Sequence, residues 1–60
     1  MDNKIARSII DEVGLKKGVV AVKCGIHPVI FSDWLNNRRI LTPEQVNKIT
    51  DYLNRFKEVM

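Results

Sequence analysis

Apolar residues recur at helical spacing from the start of the chain. Ile5, Ile9 and Val13 stand four apart, Ala6 and Ile10 widen the stripe, and Lys4, Arg7, Ser8, Asp11 and Glu12 fill the other side. The pattern predicts an amphipathic helix over Asn3–Val13, with Gly14 as its stop and Leu15 turning back toward the core. A second, shorter helix is expected from Lys17 to Cys24. Val20, Ala21 and Cys24 share one face, while Val19 and Val22 lie elsewhere around the axis. A helix apolar almost all round is expected to pack on several sides. Gly18, in its first turn, is expected to weaken it and to permit a close backbone approach.

The stretch KCGIHPVIFSDW then breaks and restarts the pattern. Gly25 tolerates the left-handed backbone that ends a helix, and Pro28 suits the first turn of the next. A third helix from Pro28 to Asn36 puts Ile30, Phe31, Trp34 and Leu35 on one side and Val29, Ser32, Asp33 and Asn36 on the other. The segment LTPEQ opens a fourth, with Thr42 as N-cap, Pro43 in the first helical position and Glu44 at the positive helix end. It is expected to run to about Glu58. Val46, Ile49, Leu53, Phe56 and Met60 form its stripe, which Tyr52 and Val59 widen beyond what a core needs.

Four helices in 60 residues make one all-α domain, residues 1–60. A chain this short buries only about 60% of its unfolded surface, so its stability is marginal unless something adds to it. Cys24 is the single cysteine and His27 the single histidine, which excludes an internal disulfide and leaves too few ligands for a structural zinc site. The Cys24–His27 spacing is C-x-x-H, but two ligands do not make a site. No metal and no cofactor is expected. That leaves a compact helical core, self-association or both. The wide flank at Tyr52, Phe56 and Val59 is the expected homodimer surface, with a fraying tail or a dimer through the first helix as the alternatives. No segment reads as a signal peptide, and no apolar run approaches the roughly 20 residues of a membrane span, so a cytoplasmic location is expected.

The net charge of +3 is unevenly placed. Residues 1–15 carry Lys4 and Arg7 against Asp2, Asp11 and Glu12, a balance of −1. Residues 16–39 carry Lys16, Lys17, Lys23, Arg38 and Arg39 against Asp33 alone, a balance of +4. The positive charge therefore surrounds the Gly25 turn, which suits an anionic partner, nucleic acid foremost, or else a solvated basic face.

Two short helices around a tight turn suggest a helix-turn-helix over about residues 17–36. Ala21, four residues before Gly25, is small where the helices would cross. Ile26 plugs the corner, and Phe31 and Trp34 face inward. The segment GLKKGVVAVKCGIHPVIFSDWLNNRRILTPEQVNKI, residues 14–49, resembles the phage Cro/repressor class of helix-turn-helix proteins, above all its small Cro-like and YdaS-like group. Ala21, Gly25, Ile26, Trp34, Leu35, Arg38, Arg39, Pro43, Glu44 and Ile49 carry the resemblance. Lys17 stands where the group often has Gln, and Val29 and Asp33 stand where it usually has Gln, Ser or Arg. The resemblance implies a compact four-helix domain of the lambda-repressor-like type. It also implies a transcriptional regulator, a Cro-like phage or prophage repressor. Such a protein would bind double-stranded DNA at a pseudo-palindromic operator, as a dimer formed in solution or on the DNA.

In such a motif the start of the third helix reaches base edges. The candidates are His27, Pro28, Val29, Ser32, Asp33 and Asn36. Val29 suits a thymine methyl, Asp33 a cytosine amino group, and Ser32 and Asn36 either a base edge or a phosphate. The competing roles are an ion pair from Asp33 to Arg38 or Arg39 and a helix cap from His27. Phosphate candidates are Lys16, Lys17, Lys23, Arg38 and Arg39, with Lys17, Arg38 and Arg39 favoured, Lys16 and Lys23 undecided, and ordinary solvated charge as the competing role. Trp34 shares its side with Ile30 and Phe31 and is expected in the core, and Cys24 is expected as a small buried hydrophobe. No glycine-rich phosphate loop, paired carboxylates or nucleophile–base pair suggests an enzyme. The alternative is a small protein-interaction module, such as an antirepressor or antitoxin, using the same apolar flank.

Overall fold

The computed structural model describes Met1 to Val59, with side chains described as far as Phe56. The chain folds into four helices: α1 (Asn3–Val13), α2 (Lys17–Lys23), α3 (Pro28–Leu35) and α4 (Pro43–Val59). Each lies within a residue of its expected ends. Cys24 and Asn36, expected inside their helices, instead cap α2 and α3.

Side chains satisfy otherwise unpaired amides at the starts of α1, α3 and α4, whereas Lys16 at the start of α2 gives no such cap. Asp2 Oδ1 accepts from the Ile5 N–H at 2.8 Å. Thr42 and Gln45 bond reciprocally. The Gln45 N–H donates to Thr42 Oγ1 at 3.2 Å, and the Thr42 N–H donates to Gln45 Oε1 at 3.0 Å. This is a capping box with glutamine in the acceptor role.

The first three helices end alike, each on a left-handed residue: Gly14 (φ +82°), Gly25 (φ +71°) and Asn37 (φ +62°). After each, an N–H reaches back five residues. Leu15 donates to the Ile10 carbonyl (2.9 Å), Ile26 to Ala21 (2.9 Å) and Arg38 to Asp33 (2.7 Å). At α2 and α3 a second bond closes the turn, from Gly25 to Val22 and from Asn37 to Trp34, both 3.1 Å. These are Schellman closures, whose usual partner is an apolar contact across the turn. Ile26 and Ala21, both buried, stand in those positions.

α1 packs on α3 and α4, and α2 packs on α3. Phe31, Ile10, Ile49, Leu53 and Val20 are the largest fully buried side chains, and each such burial is worth about 1.5–3 kcal/mol. Trp34 lies in this core, its ring centroid 5.9 Å from that of Phe31. Ala21 is fully buried where α2 meets α3. The result is an all-α four-helix bundle.

Three expectations fail. Ile5 is 48% exposed, because α1 centres its buried face on Ala6, Ile9 and Ile10, about a quarter turn away. α2 is not packed on several sides. Val19 and Val22 are 49% and 67% exposed, since α2 meets its neighbours only through the Val20–Ala21–Cys24 face. Gly18 admits no close approach, for a Cβ there would meet nothing within 4 Å.

Candidate nucleic-acid interface

The four residues Cys24–His27 join α2 to α3, and the two axes turn through 115° between them. Gly25 sets the reversal and Ile26 anchors it. The apolar side of α3 (Phe31, Trp34 and Leu35) is thereby committed to the core. The opposite side is the more open one. His27, Pro28, Val29 and Asn36 are exposed there, and Ser32 and Asp33 are half-buried. All six base-contact candidates therefore share one face or its leading edge.

Several of these side chains are already engaged. His27 Nδ1 accepts from the Val29 N–H at 3.2 Å, so His27 caps α3 as the competing role held. In the neutral ring this bond places the proton on Nε2, which is free to donate outward. The Asn36 amide donates to the Ser32 carbonyl at 3.0 Å, leaving its own oxygen available. Asp33 stands 4.0 Å from the Arg38 guanidinium, the outer limit of an ion pair. Arg38 is 73% exposed, so the pair adds little stability, yet it keeps a cation beside the carboxylate. Val29, 61% exposed, is an aliphatic group on an otherwise polar face.

Lys16 and Lys17 are exposed at the start of α2, and Arg38 and Arg39 are exposed just beyond α3. The packing of α1 on α3 adds two cations that sequence reasoning missed. Lys4 and Arg7 line a hollow with Leu35, Asn36 and Asn37, at the end of α3. Their three-residue spacing put them on one side of α1. Nothing local said that this side borders α3.

The expected dimer surface is less open than its sequence suggests. The Tyr52 and Phe56 rings meet edge to face at 5.3 Å, and both residues are half-buried. The Val59 side chain and Met60 lie outside the described residues. A more open apolar pair is Val19 and Val22, which with Lys16, Gly18 and Lys23 forms a shallow trough on α2.

Cys24 is buried, with its sulfur 4.0 Å from the Lys48 carbonyl, and burial pushes its thiol pKa up. Among the described residues no three His, Cys, Asp or Glu side chains gather as metal ligands. Among the same residues no single helix is long and apolar enough to cross a membrane. The chain matches no family model, no curated protein and no solved structure.

Proposed function

We propose that this chain is a sequence-specific DNA-binding transcriptional regulator, in which α2, the Gly25 turn and α3 act as a helix-turn-helix. One observation carries the reading: a locked four-residue turn holds α3 at 115° to α2 while the small polar face of α3 stays open to solvent at Val29 and Asn36 and half-buried at Ser32 and Asp33. Helices at about 90–120° across a turn of three or four residues are the geometry that admits the second helix to a major groove. The exposed cations at the start of α2, Lys16 and Lys17, and those just beyond α3, Arg38 and Arg39, suit the phosphate strands that bound the groove. Lys4 and Arg7 extend the set. His27, Pro28, Val29, Ser32, Asp33 and Asn36 read bases or hold those that do.

The finer reading is a Cro-like repressor of the lambda-repressor-like type, binding a pseudo-palindrome as a dimer. Selection from a random duplex library at two salt concentrations tests it. The expected result is an enriched palindrome with half-sites about 34 Å apart. Enrichment of a single half-site would remove the dimer. Weak binding that selects nothing and vanishes at the higher salt would remove sequence-specific regulation altogether.

The exposed Val19–Val22 pair favours a second reading, a protein-interaction module that grips its partner through α2. Salt separates the two, since counterion release makes DNA affinity fall steeply with salt and an apolar interface lacks that dependence.

A further inference from the structure

Ile40 is 95% exposed, more than any other large apolar side chain among the described residues. A single exposed isoleucine needs no explanation by itself. Its setting is what points to a ligand. The loop that carries it is clamped at both ends. On one side the Arg38 N–H bonds the Asp33 carbonyl and the Asn37 N–H bonds the Trp34 carbonyl. On the other, Leu41 is buried at 6% exposure and Thr42 is locked to Gln45. Leu41 takes the core position available to the loop, so Ile40 stays outside. Arg38 and Arg39, both exposed, precede it directly. Between two fixed ends the loop thus carries an exposed aliphatic side chain directly after two exposed arginines, which suits an anionic partner with apolar walls.

The place of the loop in the fold selects that partner. α3 has eight residues, and at 1.5 Å each it is about 12 Å long. The major groove is about 12 Å wide. With the start of α3 at base edges, its far end reaches the bounding phosphate strand, and the minor groove opens beyond that strand. The walls of the minor groove are deoxyribose, and architectural proteins insert aliphatic side chains between its base steps.

We propose that Arg38 and Arg39 hold the phosphates at this edge and that Ile40 enters the flanking minor groove. This rests on the DNA-binding reading above and adds a second point of readout to it. The chemistry predicts which base pairs it tolerates. G·C pairs present the guanine 2-amino donor on the minor-groove floor, whereas A·T pairs present only acceptors. Isoleucine has no acceptor for that donor, so Ile40 favours A·T flanks.

The test is equilibrium binding of the full chain to duplexes that share the selected core and differ only in the flank. Three flanks are compared: A·T, G·C and inosine·C, the last lacking the 2-amino group while keeping the major-groove edge of G·C. The expected result is A·T over G·C by about fivefold or more, the discrimination typical of one base pair. Inosine·C should behave as A·T. Ile40→Ala and Ile40→Ser should lose the preference and keep the salt dependence of core binding. Inosine·C behaving as G·C would place the readout in the major groove and overturn the proposal. So would an unchanged preference in both variants, with the steep core binding left to support the DNA-binding reading alone. Sedimentation in which Ile40→Ala abolishes self-association without moving the flank preference would assign Ile40 to a contact between copies. No binding to any duplex by the unmodified chain would remove the DNA-binding reading and this inference together.

Discussion

The side-chain amide of Asn3 donates to the backbone carbonyl of Trp34 at 3.1 Å, across 31 positions of sequence. It ties the first residue of α1 to the last turn of α3. The same carbonyl accepts from the Asn37 N–H, so one oxygen serves both the tie and the turn that ends α3. Asn3→Ala should cost about 1 kcal/mol in urea unfolding, the usual net value of such a bond. Asn3→Asp separates the tie from a local helix effect. A carboxylate at a helix start is favoured by the dipole, but it accepts only and cannot donate to Trp34. The tie therefore expects Asp, like Ala, to fall below the unmodified protein. A stability above the unmodified protein would show that only the helix start matters.

Asn37 stands where the other two short helices use glycine. A non-glycine residue in the left-handed region costs about 1–2 kcal/mol, least for asparagine. Asn37→Gly should leave stability unchanged or raise it slightly, while Asn37→Val should lower it by about 1–2 kcal/mol. Thermal unfolding of the pair reads this directly. Equal melting temperatures would mean that the αL turn after Asn36 is not what ends α3.

Gly18 offers a stabilising change. It lies inside α2 at a negative φ, and an added Cβ would meet nothing within 4 Å. Gly18→Ala should then recover much of the difference in helix propensity, up to about 1 kcal/mol. For a domain of this size that is a rise of roughly 4–8 °C in Tm. A fall in Tm would mean that the position is more crowded than its open surroundings suggest.

How much of this was legible depended on whether a signal was local. Gly14 and Gly25 marked helix ends because glycine is the common left-handed residue, and Thr42-Pro43-Glu44 marked a start by residue type alone. Asn37 gave no such mark, because asparagine adopts that conformation only sometimes and Asn36 beside it carries the same side chain. The openness of Val19 and Val22 was invisible for a different reason. A helix apolar all round says what it could bury against, and only the tertiary packing decides how many neighbours it has. The placement of Lys4 and Arg7 beside α3 depended likewise on how α1 crosses it. For Asp33 a base contact stood against an ion pair to Arg38 or Arg39, and of the two arginines it is Arg38 that stands near it, at 4.0 Å. The polar face of α3 was readable in full, since a 100° period fixes which residues share a side.

Cys24 links burial to reactivity. Burial raises its thiol pKa above the ordinary 9.0, so the folded state holds the proton more tightly than the unfolded chain. The stability from this difference is fully present below 9.0 and is lost as pH rises through the higher folded value. Stability should therefore fall with pH above about 9 in the unmodified protein more steeply than in Cys24→Ala. At neutral pH a thiolate-specific reagent should label the native protein far more slowly than the urea-unfolded chain. Equal labelling rates would show that Cys24 is reachable in the folded state.

The two classes of DNA contact should separate in one set of variants. Lys17 and Arg7 are exposed cations that the proposed DNA-binding reading assigns to phosphates, whereas Val29 stands on the polar face of α3. A phosphate contact releases counterions and carries no sequence information. Lys17→Ala and Arg7→Ala should weaken binding to every duplex alike and lower the salt slope by about 1 each. Val29→Ala removes only methyl groups, so it should leave the salt slope intact. It should instead relax the preference at one thymine position, by about 1–3 kcal/mol between the best and worst base pair. Titrations of these variants on the selected site and its single-base derivatives, at several salt concentrations, give both quantities. If Val29→Ala lowered the affinity for all sequences equally, the methyl groups would support the fold of α3 rather than read a base. If Arg7→Ala left the salt slope unchanged, the hollow at the end of α3 would lie off the DNA, and the basic surface would narrow to Lys16, Lys17, Arg38 and Arg39.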